Sequence, residues 1–410
     1  MAISLDFERL TDLMNEQAQF GGTADGGLHR LALSDEDEAV RDWFEVQMRG
    51  AGLDTRVDAM GNMFGRRSGT SDGTAPVLLG SHLDSQPYGG IYDGALGVIA
   101  ALEFVLTLDD QDIQTPHPIE IVNWTNEEGA RFETPLQGSG VWAGIHSLDA
   151  EYERTDRDDR RFGDELERIG YDGAEPCEPR EPYACYLELH IEQGPKLESK
   201  NKDVGIVTDI VGVTRGAVTF SGEANHAGTT PMDQRRDALV PAADLITQIR
   251  RIPTRMGENT VGTAGYLDVS PNVGNIIPAE VTVTWDLRAR SDAVLENGYR
   301  QVQAEATVAS QREGVDVEAS EWVRLTSTQF SDRCTSALRA AADGLDYEHM
   351  DIVGGAGHDA VYVSEVCDSG MLFAVSEGGI SHSEDEYTNW TDCYSAANTL
   401  ANAALEMAME

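Results

Sequence analysis

Four short segments of this chain carry side chains able to hold a divalent cation or move a proton. The string SHLD sets His82 and Asp84 two residues apart, and Asp93, followed by Gly94, comes nine residues after Asp84. NWTNEEG brings the adjacent pair Glu127 and Glu128, ELHIEQGP brings His190, and SHS brings His382 shortly after Gly378 and Gly379. Imidazole nitrogen and carboxylate oxygen are donors that zinc, manganese and cobalt accept. Asp84 is expected to take the second ring N–H of His82 and so fix the tautomer that leaves the other nitrogen free. Two neighbouring glutamates repel each other unless a cation lies beside them; a helix start would also accommodate them through its dipole. Any one of these histidines taken singly reads as a structural residue. Their weight comes from falling together at the ends of expected strands and helices.

Those ends belong to recognisable elements. Residues 4–18 and 35–50 carry apolar side chains at helical spacing. The run 55–64 alternates as a strand does, 66–75 is a loop rich in Gly, Ser and Thr, and PVLLG at 76–80 reads as a buried strand. Small and apolar residues from 94 to 108 predict a buried helix, and 119–124 predicts a further strand. Strand, helix, strand implies a parallel unit, in which reactive side chains gather beyond the carboxyl ends of the strands, where His82 and Glu127 fall. The densely charged stretch 149–182 reads as a solvated helix with a loop. From 211 onward the pattern changes, with strand-like 216–222, 260–269 and 280–288 around a helical 237–251, the signature of a small α+β insert. Beyond 323 follow a helix at 331–344, a glycine-rich 354–359, an apolar 370–375 and a closing helix at 392–407.

A chain of 410 residues is longer than one hydrophobic core usually serves, so two domains are expected. Its 30 basic and 72 acidic side chains give a net charge of −42, which excludes nucleic acid and anionic membrane as partners. Lysine occurs only at Lys196, Lys200 and Lys202, while acidic residues are dispersed along the whole chain. With 40% hydrophobic residues this is a folded acidic protein and not a disordered one. It resembles proteins of salt-loving organisms, whose self-repulsion concentrated salt screens, so folding and activity are expected to need molar salt. Cys177, Cys185, Cys334, Cys367 and Cys393 are odd in number and form no CxxC pair, which reads as reduced cysteines. The start MAISLDFERL lacks the basic and apolar regions of a signal peptide, and no later segment has the roughly twenty apolar residues of a membrane span. A soluble cytoplasmic protein is expected.

The strings GSHLDSQPYGGIYDGALGV, NEEGARF, ELHIEQGP, NHAGTTPM, GNIIPAEVTVTWDLR and GAGHDA resemble the amidase and carbamoylase branch of the M20 metallopeptidase superfamily. That branch includes N-carbamoyl-L-amino-acid hydrolases, allantoate amidohydrolases and beta-ureidopropionases, and the resemblance extends over nearly the whole chain. It implies an α/β fold: a catalytic domain over 1–210 and 326–410 with a mostly parallel mixed sheet flanked by helices, and an α+β insert over 211–325 acting as lid and dimer contact. It also implies two divalent ions per subunit, zinc or else manganese, cobalt or nickel. His82, Asp93 and His190 would hold one, Asp93, Glu128 and His382 the other, with Asp93 bridging, Glu127 as general base and Asp84 in support. Two nearby ions account for clustered carboxylates and lower the pKa of a water. A carboxylate outside the ligand set can take that water's proton and pass it to the leaving nitrogen.

His190 favours carbamoyl substrates, because peptidase relatives usually carry a carboxylate at that position. The resemblance makes His226 the donor to the developing oxyanion, commonly in the neighbouring subunit's site, and so implies a homodimer. Asn275 and Arg288 match binders of a substrate carboxylate, which a planar guanidinium grips bidentately. Arg215 and Gln193 match further contacts, and Gly357 would offer its backbone where a side chain does not fit. Val213 and Thr214 depart from the common pattern, which leaves the substrate open. The expected substrate is a small molecule with a carboxylate and a carbamoyl or ureido group, foremost an N-carbamoyl-L-amino acid. Allantoate and beta-ureidopropionate are alternatives, with aminoacylase or dipeptidase activity further off. An inactive ligand-binding homologue is the rival from another class, and Glu127 speaks against it because binding needs no base. His29, His117 and His349 read as surface residues, His146 and His358 as hydrogen-bonded supports.

Overall fold

In the computed structural model, which describes residues 2–257 and 260–410, the run VLLGSH forms the strand Val77–His82, buried along its entire length. Ile119–Trp124 and Cys185–Ile191 are likewise wholly buried strands, as expected where helices cover both faces of a parallel sheet. Val77–His82 lies between these two and runs parallel to both, and Ser369–Ala374 continues the parallel set beyond Cys185–Ile191. Antiparallel strands extend both sides: Met63–Arg67 and then Asp54–Val57 beyond Ile119–Trp124, and Val204–Ile210 beyond Ser369–Ala374. The architecture is a mostly parallel mixed sheet flanked by helices.

The helix Ala95–Asp110 is apolar almost all round, burying Leu96, Val98, Ile99, Leu102, Phe104, Val105 and Leu108, the pattern of a helix inside the core. Each such side chain contributes roughly 1.5–3 kcal/mol on leaving water. The closing helix Trp390–Met409 packs its alanine-rich face inward in the same way.

The strand expected over 55–64 is two strands, Asp54–Val57 and Met63–Arg67, paired antiparallel. Asp58 turns the chain between them, its carboxylate accepting from the Met60 and Asn62 backbone N–H groups and from Asn62 Nδ2. The charged stretch 149–182 contains two short helices, Leu148–Tyr152 and Phe162–Arg168, and buries Glu151, Phe162, Glu165 and Leu166, so it is more than a solvated surface.

The chain divides into two compact units, one of Met1–Thr208, Phe330–Ile352 and Gly357–Glu410, the other of Asp209–Gln329 and Val353–Ala356. In the second, Glu280–Ala289 pairs antiparallel with Gly212–Ser221, Leu267–Ser270 and Val261–Thr263, and Asp316–Leu325 pairs with Gly212–Ser221. Val281, Val283, Trp285, Leu287 and Ala289 alternate inward along one strand and pack with Leu245 and Ile249 of Leu239–Arg251 and Leu295 and Val302 of Asp292–Glu313. Among the described residues no helix is long and apolar enough to cross a membrane.

Candidate functional site

Four parallel strands end near one place, and each end delivers part of the expected set. His82 closes its strand, Glu127 and Glu128 follow Ile119–Trp124 in a loop, His190 lies one residue before the end of Cys185–Ile191, and His382 follows Ser369–Ala374. The glutamates are therefore not at a helix start, and no helix dipole holds them. Asp93 precedes the helix Ala95–Asp110; Gly94 between them has φ 64°, and a Cβ there would overlap the His82 imidazole, so only glycine lets the Asp93 loop cross that ring. His382, Gln193 and Asn126 also stand at positive φ, strain of the kind that clusters at functional sites.

Donor atoms of His82, Asp93 and His190 converge within 4.8 Å of one another, and so do those of Asp93, Glu128 and His382. Asp93 faces both ways: Oδ1 lies 2.9 Å from His190 Nε2 and 3.5 Å from His82 Nε2, and Oδ2 lies 3.5 Å from His382 Nε2. His382 Nε2 is 3.7 Å from Glu128 Oε2. The ring tautomers suit cation binding. His82 Nδ1 donates to the Asp84 backbone carbonyl at 2.9 Å and His190 Nδ1 to that of Ile191 at 3.0 Å, which leaves each Nε2 with a lone pair toward Asp93. His82 Nε2 is buried without a hydrogen-bond partner, the mark of an atom reserved for another ligand. Four carboxylates against three imidazoles make the cluster short of positive charge. Although burial opposes it, Glu127, Asp93 and Asp84 together hold His82 well above the ordinary imidazole range. Burial first, then the charges of Asp359, Glu128 and Asp93, push Glu127 well above the usual carboxylate range. Burial and Asp93 do the same to Glu128. Divalent cations would relieve that deficit, so the residues present fit them.

Asp84 differs from its expected part. Its nearest carboxylate oxygen is 3.7 Å from His82 Nδ1, and the ring is fixed by the Asp84 main chain instead. The carboxylate accepts the backbone N–H groups of Glu127 at 3.1 Å and Glu128 at 3.3 Å, so it aims the two glutamates. Glu127 Oε2 lies 3.4 Å from His82 Nε2 and belongs to neither donor triad. Gln193 donates to Asp93 Oδ2 at 2.7 Å and lies 3.2 Å from His382 Nε2.

Supports invisible in the motifs surround this cluster. Gln86 reaches Glu128 Oε2 with its side chain at 2.8 Å and Oε1 with its backbone N–H at 3.2 Å. The wholly buried Arg30 donates to the Leu83, Gln17 and Phe20 carbonyls and, with burial lowering it to about 10, pins the segment between His82 and Asp84. His358 packs at a tilt against His190, ring centroids 4.2 Å apart, and His146 packs edge-on against Tyr362. Both support by ring packing, His358 Nδ1 and His146 Nε2 having no hydrogen-bond partner. Gly357 is exposed, and a Cβ there would meet only Leu136 Cδ1 at 3.5 Å. Nothing in its own unit excludes a side chain, contrary to the expectation.

The smaller unit carries the remaining candidates. Arg215 lies opposite Asp286 in the ladder and Arg288 two residues further along the same strand, so the three share a face. Asp286 accepts from Arg215 Nε at 2.6 Å and Arg288 Nε at 3.2 Å, while Arg288 Nη1 donates to the Gly355 carbonyl at 2.8 Å. These residues line a cavity of about 730 Å³ together with Val261 and Trp322. Trp322 is the extra residue of a bulge between Glu321 and Val323 and is 61% exposed; a bulge of this kind re-aims one side chain, and no sequence pattern announces it. Elsewhere in the unit, His226 pairs with Ile276 in the short ladder next to Asn275, and both His226 and Asn275 are exposed. His226 Nδ1 accepts from the Gly228 backbone N–H at 2.9 Å, which leaves its proton on Nε2, pointed away from that turn as a free donor.

Residues 78–406 match the family described as peptidase family M20/M25/M40. The chain is 40% identical over 401 residues to an N-carbamoyl-L-amino-acid amidohydrolase of Rhizobium meliloti, covering 98% of this chain and 96% of that one. It is 35% identical over 383 residues to an allantoate amidohydrolase of Bacillus subtilis, covering 93% and 92%. A crystal structure of a hydantoinase/carbamoylase family amidase from Burkholderia multivorans superposes with a TM-score of 0.94 at 41% identity, over 100% of this chain and 99% of that one. With likeness of sequence and fold running from end to end, the chain belongs to peptidase family M20/M25/M40.

Proposed function

We propose that this protein is an amidohydrolase that cleaves the linear carbon–nitrogen bond of an N-carbamoyl-L-amino acid, consuming one water and releasing the amino acid, carbon dioxide and ammonia. The observation that carries the reading is the pair of donor triads sharing Asp93, with Glu127 beside both and within neither. His82, Asp93 and His190 would hold one divalent ion, zinc or else manganese, cobalt or nickel, and Asp93, Glu128 and His382 a second. Bound there, the ions would act as Lewis acids toward the substrate carbonyl and the attacking water. Glu127 Oε2 takes the proton of the attacking water and returns it to the leaving nitrogen. Asp84 keeps Glu127 and Glu128 aimed. His226 Nε2–H serves the carbonyl oxygen, and Asn275 binds the substrate carboxylate. Arg288, with Arg215, grips the carboxylate, and Gln193 and the Gly357 backbone complete the contacts. In this reading the insert is lid and dimer contact of a homodimer.

Ammonia-release assays run in parallel on N-carbamoyl amino acids, allantoate and beta-ureidopropionate test it, the first being expected to turn over fastest. Faster release from allantoate would favour the second reading, allantoate amidohydrolase, which the Bacillus subtilis relative supports.

The charge of −42 supports an origin in a salt-loving organism, and the five free cysteines agree with a cytoplasmic protein. The unfolding midpoint is expected to rise between dilute buffer and molar KCl, because salt at that strength shortens the screening length to about 3 Å; an unchanged midpoint would count against the idea.

A further inference from the structure

Glu386 lies in the loop between His382 and the closing helix and is buried, 5% exposed. Among the described residues it has no arginine or lysine within ion-pairing distance, an expensive condition for a carboxylate. Both of its oxygens are used. Oε1 accepts the backbone N–H of Asp93 at 3.2 Å, and Oε2 accepts the hydroxyl of Ser381, the residue before His382, at 2.8 Å. Its own backbone N–H donates to the Ser383 carbonyl at 3.0 Å, so the turn that carries Glu386 begins directly after His382. Ser381 Oγ in addition lies 3.5 Å from Asp93 Oδ2. On the opposite side, a Cβ at Gly90 would overlap the Glu386 carboxylate, so the segment leading to Asp93 is shaped to admit it.

We infer that Glu386 is a positioning residue that ties the Asp93 loop to the His382 loop and thereby sets how tightly Asp93, Glu128 and His382 together hold a divalent cation. The inference rests on the cation reading proposed above. The Asp93 loop arrives from a strand end in the first third of the chain and the His382 loop from another near its end. A carboxylate that accepts one hydrogen bond from each fixes their separation, and with it the distance between donors that must converge on one ion. His82 and His190 are held by the backbone carbonyls of Asp84 and Ile191, so only one of the three donors on that side, Asp93, depends on this link, whereas both Asp93 and His382 do on the other. Methionine has nearly the same shape and no acceptor oxygen, so Glu386→Met breaks both arms with little change of volume. Ser381→Ala removes one arm and leaves the carboxylate.

The test titrates the metal-stripped full-length protein with Zn²⁺ against a competing chelator, alongside thermal unfolding of the metal-free forms. The wild type is expected to take up two equivalents. Glu386→Met is expected to weaken one of them about 10- to 100-fold, the same one that His382→Ala removes, and the other much less; Ser381→Ala follows with a smaller shift. If both equivalents bind as in the wild type while the metal-free protein merely melts earlier, the residue is structural only and the inference fails. Equal weakening of both equivalents also overturns it. A wild type that takes up no divalent cation would instead overturn the reading on which it rests.

Discussion

In the larger unit His82, Glu127, His190 and His382 reach one place from four separate strand ends, whereas in the smaller unit Arg215, Asp286 and Arg288 meet on one sheet face through register alone. The first arrangement needs parallel strands, whose carboxyl ends all point the same way and so collect residues from distant parts of the chain. The second needs only an antiparallel pair, in which a residue faces its partner and residues two apart share a side. The charges differ in the same sense. The strand-end cluster is mostly buried, carries more carboxylates than imidazoles and so suits divalent cations. The sheet face is half exposed, places one aspartate between two arginines and is left with one positive charge for an anion. In the proposed reading one region activates and the other holds, and the two roles should then separate in kinetics: loss of the first lowers kcat, and loss of the second raises KM.

Glu127→Gln is expected to strain that separation most. Turnover should fall roughly 100- to 10,000-fold, the usual contribution of a positioned base, with fold and cation content unchanged by circular dichroism and elemental analysis. Near-normal ammonia release would remove Glu127 from its role. Next comes His226→Ala, for which kcat should drop about 100-fold or more, as for loss of one donor to an oxyanion. A rise in KM alone would move His226 from the activating to the holding side. Arg288→Lys should give the smallest effect: KM about 10-fold higher with kcat nearly constant, since an ammonium cannot reproduce a two-pronged grip. If Arg288→Lys instead altered Zn²⁺ uptake, the two regions would not be independent.

Much of this was legible in the residues. Strands at 77–82 and 119–124 follow from apolar runs bounded by turn residues, and the helix after Asp93 from a small and apolar stretch in which Glu103 alone is charged up to Leu108. The donor types were legible too, because only a few side chains bind divalent cations and their strings are distinctive. Less legible was whatever depends on contacts between distant segments. The strand expected over 55–64 became a hairpin because the Asp58 carboxylate found three donors within its own turn. Asp84 gave up the His82 ring to its own carbonyl and turned its carboxylate to loop amides some forty residues away. Gln86, Arg30 and Glu386 have no pattern in sequence that marks them, since each acts on a segment far along the chain. Trp322 is aimed by a bulge, which periodicity does not reveal.

The sequence by itself determined the chemical types of the donors, the alternation that makes each strand and helix, and the acidic balance of the whole. These depend on side-chain chemistry and on neighbours within a few residues. Only the tertiary structure brought the donors of each triad within 4.8 Å of one another, decided which nitrogen of His82 and His190 is free, and turned the Asp84 carboxylate toward Glu127 and Glu128. Such facts follow from the order of strands in the sheet and from hydrogen bonds that close across it. A local pattern contains neither.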